Sequence, residues 1–268
     1  MTAQAVQPRL RLPLTGGRSL RLVERNLAVY RRTWLILFSG FFEPLLYLVG
    51  IGFGVGSLVG SVHGQSGVSE SYKVFVAPAL MASSATNGAI YETTFNLFFK
   101  LKFAKLYDAV LATPMSVGDI ARGEITWALL RGTVYAIGFI VVMSVLGLVV
   151  SPWGVLAVPA AVLIGFAFAA AGSLATTYVR RWQDFNIVQL VILPMFLFSG
   201  TFYPLSAYPW PLQVVIELTP LYHGVHLLRG LTTGDVSFAL AVDVAYLALM
   251  GVVCLRLAAR RLDILLLR

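Results

Sequence analysis

Six long apolar stretches constrain how this 268-residue chain can fold. An apolar run of about 20 residues makes a helix of roughly 30 Å, which matches the hydrocarbon layer of a membrane. Hydrophobic residues make up 58% of the chain and charged residues only 12%, so most of its length must face lipid or other helices. The sequence therefore predicts an all-α membrane protein with six spans, at about 33–59, 74–99, 125–150, 153–179, 185–203 and 238–257.

Lys and Arg residues are distributed unevenly between the two sides of these spans. Lys73 and Arg229 lie on one side and Arg131 lies inside the third span, whereas the other 17 of the 20 lie on the tails and on the second and fourth loops. Cytoplasmic loops carry the excess of Lys and Arg, so both termini are predicted to be cytoplasmic. The net charge is +8, and we interpret the basic residues as anchors that hold the loops beside anionic lipid headgroups. We therefore expect no nucleic-acid partner.

Two segments on the cytoplasmic side have the apolar spacing of amphipathic helices. Residues 1–32 consist of a tail followed by a helix whose apolar stripe is Leu20, Val23, Leu27 and Tyr30. This helix should lie flat on the membrane surface, or else it extends the first span. The second loop contains a second helix with an apolar stripe, and Thr113-Pro114 should end this helix. The stripe is Phe103, Leu106, Tyr107, Val110 and Leu111. This loop helix needs an apolar partner, either the membrane surface or a groove of another protein. A second short helix is expected from near Ser116, with Asp119 closing a capping box.

The region after the fifth span is rich in proline and cannot form one continuous helix. Pro204, Pro209, Pro211 and Pro220 all lie between the last two spans. Because the fifth span leaves the cytoplasm and the sixth returns to it, this region must stay on the outer side. We expect short re-entrant helices there that border a cavity or a partner subunit.

Four ionisable residues lie within the predicted spans, where burial costs at least about 2.5 kcal/mol. They are Glu43, Glu92, Arg131 and Asp243. Glu92 shares its span with a polar stripe that includes Asn96. Two interpretations stay open: these groups form a translocation path or subunit interface, or they form buried ion pairs, for example Arg131 with a carboxylate.

The motifs of common enzyme sites are absent from the sequence. It contains no GxxxxGK[ST], HExxH, GxSxG or CxxC motif, so we expect no catalytic residue and no ATP hydrolysis by this chain. His223 and His226 are three residues apart, but a third ligand is not evident nearby. Hydrogen bonding is favoured for them over a metal site. The single cysteine, Cys254, is interpreted as a packing residue.

Three sequence blocks carry a resemblance to a known family. The first runs from Glu24-Arg25-Asn26 to Phe42-Glu43-Pro44-Leu45-Leu46-Tyr47, the second holds Ala112-Thr113-Pro114-Met115-Ser116 with Gly123-Glu124, and the third runs from Phe198-Ser199-Gly200-Thr201-Phe202-Tyr203-Pro204 to Leu228-Arg229-Gly230. In this order the chain resembles the permeases of type-2 ABC exporters, among them those for nodulation factors, lipooligosaccharides and polysaccharides. Thr219 stands where the family usually has Asn before a Pro-Leu pair.

The resemblance implies partners and roles for these segments. Family members dimerise and pair with two cytoplasmic ATPase subunits, which bind the ATP and Mg, so the permease itself binds no cofactor. By this likeness residues 33–268 form a single transmembrane domain in a prokaryotic plasma membrane, and the expected partner is a second, identical permease. The implied coupling helix is Lys102–Leu111. Its residues expected to contact the ATPase are Lys102, Phe103, Leu106, Tyr107 and Val110. The implied interface helix holds Leu20, Val23, Glu24, Leu27 and Tyr30. The implied outer gate holds Phe202, Tyr203, Pro204, Pro220 and Tyr222.

The leading hypothesis is an ATP-driven export permease for a lipid-linked glycan, a glycolipid or an amphipathic drug-like molecule. The alternative is a proton-gradient-driven multidrug or lipid transporter that uses Glu43, Glu92 or Asp243 as its proton site. A membrane enzyme acting on lipid-linked sugars is a third hypothesis, but the sequence has no nucleophile or clustered carboxylates to support it. The scaffold is shared by permeases of many substrates, so the sequence alone does not select one.

Overall fold

The computed structural model describes residues 17–32, 42–63 and 69–266. These residues are mostly helical, with one small antiparallel hairpin that pairs β1 (Ser61–His63) with β2 (Ser69–Ser71). The fold is consistent with the predicted all-α membrane class, and the hairpin is a small addition to it. Its strands have three residues each, which is too short for the apolar alternation that marks a strand in a sequence.

Ten helices can be numbered along the described chain. Those at the positions of the predicted spans are α2 (Phe42–Val59), α3 (72–102), α5 (Val117–Val145), α6 (Pro152–Thr176), α7 (Trp182–Phe198) and α10 (Phe238–Leu266). The shorter helices are α1 (Ser19–Arg32), α4 (Leu106–Leu111), α8 (Trp210–Glu217) and α9 (Pro220–Thr233). Helix α3 is itself made of Tyr72–Tyr91, a π-helical turn at Glu92–Asn96, and Leu97–Lys102.

Four of the described helices are long and apolar enough to cross a membrane. They are α2, α5, α6 and α10. Helix α7 is shorter, and the polar residues of α3 lower the hydropathy of an otherwise long helix. The chain is therefore a mostly helical, multi-pass membrane protein, while the count of six spans stays a prediction. Part of the first predicted span, 33–41, lies outside the described residues.

Several helix ends differ from the predicted boundaries for identifiable reasons. Ser116 and Asp119 do form the predicted capping box, but it opens α5 itself and not a separate short helix. Helix α7 ends at Phe198, short of residue 203, because Gly200 adopts a left-handed φ of 70° and Pro204 follows. Helix α10 runs beyond residue 257 to Leu266.

Helix α6 is the centre of the main apolar core and packs against α3, α5, α9 and α10. About 56% of the most apolar segment of α6 is buried, compared with 17% for the corresponding segment of α2. Helix α2 therefore lies at the edge of the molecule. Small residues permit the close packing, since a Cβ at Gly224 of α9 would lie 3.1 Å from Ile164. Thr176 of α6 also donates a hydrogen bond of 2.8 Å to the carbonyl of Thr93 in the π-helical turn of α3. A second, smaller core of Leu22, Leu97, Tyr107 and Ile120 lies under α4.

Candidate functional site

A buried carboxylate joins four segments on the side of the molecule that carries the basic loops. Glu124 of α5 is only 4% exposed and pairs with Lys100 of α3, with 2.6 Å between the ammonium and the carboxylate. The Tyr107 hydroxyl of α4 donates to the same carboxylate at 3.1 Å, and the Asn26 amide of α1 donates at 3.4 Å. We call these four residues the inner cluster. A displacement of α4 must therefore act on α1, α3 and α5 together.

The residue before Glu124 explains how α1 comes so close to α5. A Cβ at Gly123 would lie 2.9 Å from the Ser19 carbonyl oxygen and 3.0 Å from Leu22, so only glycine fits here without a shift. The face of α1 that packs on α5 contains Leu22 and Asn26, each 2% exposed.

The packed face of α1 differs from the predicted apolar stripe. Leu20 and Leu27 of that stripe are 45% and 54% exposed, and Val23 is half-buried. Tyr30 alone of the stripe also reaches the buried face, where its ring lies 5.1 Å from that of Trp127. Periodicity of apolar residues missed this face because Asn26, at its centre, is polar. Glu24 lies on the exposed surface, 3.0 Å from Arg21.

The predicted coupling helix is shorter than Lys102–Leu111. Lys105 adopts a left-handed φ of 43°, which separates Lys102, the last residue of α3, from α4. Phe103 lies in the intervening turn and is 62% exposed, while Leu106 and Val110 are half-buried over the small core.

Tyr107 is the buried member of α4, at 1% exposure. Burial, together with the Glu124 carboxylate, raises the pKa of Tyr107 well above its usual value. The hydroxyl therefore stays protonated and remains a hydrogen-bond donor. Its side chain points into the inner cluster, so the exposed surface here is formed by Phe103 in the preceding turn and by Asp108 and Ala109 of α4.

A second polar cluster brings three of the predicted intramembrane residues together. Arg131 of α5 lies 2.6 Å from the Glu92 carboxylate, and Asn96 donates to the same oxygen at 2.8 Å. Arg131 and Asn96 also donate to the Tyr30 hydroxyl of α1, at 3.1 and 3.3 Å. Burial and the Glu92 carboxylate raise the pKa of Tyr30. The buried ion pair suggested for Arg131 is thus present, and it ties α1 to α3 and α5.

A cavity of about 370 Å³ opens between α2, α3 and α7, with Arg131 of the ion pair in its wall. Its size is at the lower end of the range for small-molecule pockets, about 300–1,000 Å³. The wall mixes hydroxyl, amide and charged groups with aromatic and aliphatic ones. The polar members are Glu43, Ser83, Ser84, Asn87, Arg131 and Gln189, and the larger apolar and aromatic members are Pro44, Tyr47, Leu80, Tyr91, Ile192, Leu193 and Phe196.

Glu43 lies in this wall with its side chain exposed, so it is not part of the Glu92 ion pair. The neighbouring surface of α2 and α7 is apolar and open: Leu46, Val49 and Leu190 are 67%, 60% and 72% exposed. An exposed carboxylate within a span needs water, ligand or protein to cover it. The cavity and this surface therefore belong together as one open side of the bundle.

Arg229 connects α9 to α3 and to the turn after α7. It is 4% exposed and donates to the carbonyls of Phe75 in α3 and Gly200 after α7, at 3.1 and 2.8 Å. Its guanidinium also lies 3.7 Å from the centre of the Phe75 ring. The predicted gate residues lie around this anchor. Phe202, Pro204, Pro220 and Tyr222 are half-buried, and Tyr203 is exposed.

Asp243 lies in α10, apart from the other intramembrane charges, and pairs with two histidines of α9. His223 and His226 each donate a ring Nδ1–H to it, at 2.7 and 2.6 Å. We call these three residues the outer cluster. Among the described residues, no group of three or more His, Cys, Asp or Glu side chains has the geometry of a metal site.

Glu124, Lys100 and Asn26 were not predicted as site residues. Lys100 was interpreted as a topology charge, and Asn26 and Glu124 appeared only within family-like sequence blocks. The one sequence signal was Gly123-Glu124 itself, because a carboxylate next to a glycine near the start of a span suggests a close helix contact. Its partners, 24 and 98 residues away, could not be read from spacing.

The model of the ABC-2 type transporter family matches residues 19–232, a range that includes the inner cluster and the two histidines of the outer cluster. Nodulation protein J of Rhizobium meliloti (strain 1021) is 30% identical over 90% of this chain and 91% of its own length. The Nodulation protein J of Rhizobium leguminosarum bv. viciae is 31% identical over 94% and 97%, and that of bv. trifolii is 33% identical over 78% and 81%. A match that extends over most of the chain, on a helical membrane scaffold, places this protein in the ABC-2 type transporter family.

Proposed function

We propose that this chain is the transmembrane permease of an ATP-driven exporter. Two ATPase subunits would bind ATP and Mg and would dock against α4 from the cytoplasm. A second permease, in the simplest case an identical copy, would complete the transporter in a prokaryotic inner membrane. With six spans and both termini cytoplasmic, the basic loops and α4 lie on the same side, as the distribution of Lys and Arg requires.

The inner cluster is the single observation that supports this function most. On the basic side, the turn before α4 exposes Phe103 to a partner, and α4 buries Tyr107 against Glu124. Glu124 in turn is bonded to α1 and α3. A displacement of α4 would thus be passed to the longer helices through the hydrogen bonds and the ion pair of Glu124.

The open side of the bundle supports a pathway for an amphipathic substrate. The cavity between α2, α3 and α7 joins polar groups such as Asn87 and Gln189 to aromatic groups such as Tyr47 and Phe196. A lipid-linked glycan or glycolipid has both kinds of surface. The apolar faces of α2 and α7 would pack against the second permease, so that two such cavities meet. Glu43 is then covered by substrate, water or partner instead of lipid.

The proposal is tested by co-expressing the chain with its candidate ATPase subunit. Phe103→Ala should reduce co-purification of the ATPase, because it removes the exposed side chain of the docking surface. Tyr178→Ala is the matched control, since Tyr178 is also an aromatic residue exposed on the basic side, at 60%. Tyr107→Phe should leave co-purification unchanged but reduce export per ATP hydrolysed, because it removes only the hydroxyl that contacts Glu124.

Two outcomes would contradict the proposal. The first is export at the full rate by the chain alone, driven by a proton gradient and abolished by an uncoupler while ATP is held constant. That result would favour the gradient-driven transporter. The second is equal loss of the ATPase with Phe103→Ala and Tyr178→Ala, which would show that α4 is not the docking surface.

A further inference from the structure

The cavity between α2, α3 and α7 contains one charge that the described residues leave unpaired. Glu43 lies in its wall with an exposed side chain, and no ion pair or hydrogen bond joins it to another residue of 17–32, 42–63 or 69–266. Residues 33–41, which precede it in the sequence, contain no ionisable side chain that could pair with it. A charge within a membrane span is costly unless a ligand, water or a partner group compensates it.

The other charge in the wall, Arg131, already has a counter-charge. Its guanidinium lies 2.6 Å from the buried Glu92 carboxylate and donates to the Tyr30 hydroxyl at 3.1 Å. An anionic head group in the cavity would therefore compete with Glu92 for Arg131. A cationic head group would instead meet Glu43, a carboxylate for which it has no competitor among the described residues.

Basic groups of the helices that form the cavity do not offset this negative charge. Helices α2 and α7 contain no Lys, Arg or His, and the lysines of α3 lie near its two ends. Lys73 and Lys100 are each about 16 Å or more from Ser84 along the helix axis. Lys100 is moreover paired with the carboxylate of the inner cluster. The cavity as a whole is therefore negatively charged.

The aromatic side chains of the wall also suit a cation. Tyr47 and Tyr91 are both exposed, and the Tyr47 ring lies 6.1 Å from that of Phe196. Gln189 of α7 fixes Tyr91 of α3 by donating a 2.7 Å hydrogen bond to its hydroxyl. The face of an aromatic ring attracts an ammonium group, and the attraction grows when the ammonium loses water. A carboxylate beside several aromatic rings is thus a suitable environment for an organic cation.

We infer that Glu43 determines the charge selectivity of this cavity, and that the cavity takes an amphipathic molecule whose head group carries an ammonium group. Ser84 and Asn87 supply hydroxyl and amide groups for polar atoms around the ammonium, and the apolar surface of α2 and α7 takes the hydrophobic part. A head group joined through phosphate is disfavoured, because it brings a second negative charge to Glu43. The inference narrows the substrate class and rests on the proposed function for the direction of transport.

The charge of the cavity can be measured with two thiol reagents of similar size, one carrying a trimethylammonium group and the other a sulfonate. The full-length chain, in nanodiscs of zwitterionic lipid, carries Cys254→Ser, so that one introduced cysteine is the only thiol. Ser84→Cys places this thiol in the cavity wall. Ser206→Cys, on the exposed turn after Pro204, reports the relative rates of the two reagents outside the cavity. The measured quantity is the cation-to-anion rate ratio at position 84, divided by the same ratio at position 206.

With Glu43 present, this normalised ratio should be about ten, because one nearby carboxylate attracts the first reagent and repels the second. Glu43→Gln should lower it to about one, whereas Glu43→Asp, which keeps the charge, should retain most of it. Glu24→Gln is the matched control. Glu24 is also an exposed carboxylate, but it lies on α1 beside Arg21 and outside the cavity wall, so its loss should leave the ratio unchanged.

A second measurement uses amphiphiles with the same alkyl chain as ligands. The neutral reagent N-ethylmaleimide labels the cysteine introduced at position 84 in the presence of dodecyltrimethylammonium, dodecyl maltoside or dodecyl phosphate. The cationic amphiphile should protect the thiol at a concentration about tenfold lower than either of the others. Glu43→Gln should remove this preference.

A normalised ratio near one in the chain with Glu43 would overturn the inference, and so would a high ratio that survives Glu43→Gln. Equal protection by the three amphiphiles would also contradict it, since the cavity would then select by shape and not by charge. Neither measurement needs the ATPase. Failure here therefore leaves ATPase docking at α4 untouched and can be told apart from failure of the proposed function.

Discussion

The inner cluster and the outer cluster each bury a carboxylate between helices, but the carboxylates have different partners. In the inner cluster Glu124 pairs with the Lys100 ammonium and also accepts hydrogen bonds from Tyr107 and Asn26. In the outer cluster Asp243 is hydrogen-bonded to two histidine rings, one at each carboxylate oxygen. The first contact is an ammonium–carboxylate pair that connects four segments, whereas the second consists of two hydrogen bonds between two helices.

The two clusters also differ in what they join. The inner cluster ties the short helix α4 to three longer helices, so its loss should disturb a whole end of the bundle. The outer cluster joins α9 to α10, and α9 has an independent anchor in Arg229, which binds the carbonyls of Phe75 and Gly200. Removing the outer cluster should therefore loosen α9 without releasing it.

Replacing each carboxylate by leucine should give the largest contrast. Glu124→Leu should destabilise the chain by about 3–5 kcal/mol, because it leaves the Lys100 ammonium buried without a counter-charge. Asp243→Leu should cost only about 1–2 kcal/mol, because the two histidine rings lose mainly one hydrogen bond each. Denaturant unfolding of the purified chain in detergent at pH 7.5 measures both. Equal costs would contradict the distinction between the ammonium pair of the inner cluster and the histidine hydrogen bonds of the outer cluster.

Adding a methyl group at a glycine beside each cluster should give a smaller contrast. At Gly123 the new Cβ meets a backbone oxygen of Ser19, which cannot move without displacing α1, so Gly123→Ala should cost about 1–3 kcal/mol. At Gly224 it meets only side-chain atoms of Ile164 at 3.1 Å or more.

The gain of about 1 kcal/mol in helix propensity from glycine to alanine should nearly offset that contact, so Gly224→Ala should change stability by less than about 1 kcal/mol. Thermal unfolding of the two variants in the same detergent tests the pair. A larger loss for Gly224→Ala than for Gly123→Ala would show that the inner contact is not the more rigid one.

The smallest contrast compares two local contacts near the inner cluster. Ser116→Ala removes the side-chain cap of α5 and should cost about 1 kcal/mol. Arg21→Ala removes an exposed ion pair with Glu24, whose side chains are 64% and 60% exposed, and should cost less than about 0.5 kcal/mol. Denaturant midpoints determined side by side distinguish the two. A cost for Arg21→Ala as large as for Ser116→Ala would mean that α1 is held by its surface and not by Asn26 and Leu22.

Much of the scaffold could be predicted from the sequence because burial in lipid acts on long runs of residues. The apolar stretches located the long helices, and the capping residues Ser116 and Asp119 located the start of α5, although not that it was the start of a span. Orientation was predicted from Lys and Arg alone. The short hairpin at β1 and β2 escaped prediction because three residues carry too little pattern.

The site depended on pairings between distant residues, and these are decided by tertiary structure. From sequence, Arg131 could be assigned a carboxylate partner in general, but only the packing of α3 against α5 selects Glu92. Likewise Asp243 meets His223 and His226 because α9 turns back against α10.

By itself the sequence determined that this chain lies in a membrane and that it lacks a phosphate-binding loop of its own, and it predicts which side the basic loops face. Each of these properties depends on the composition or pattern of residues along the chain, which can be read without knowing the tertiary contacts. Only the tertiary structure decided which charges neutralise each other, which face of α1 is buried, and where the bundle is open. Those properties depend on contacts of a few ångströms between residues far apart in the chain, where electrostatic attraction and close packing act and sequence spacing carries no signal.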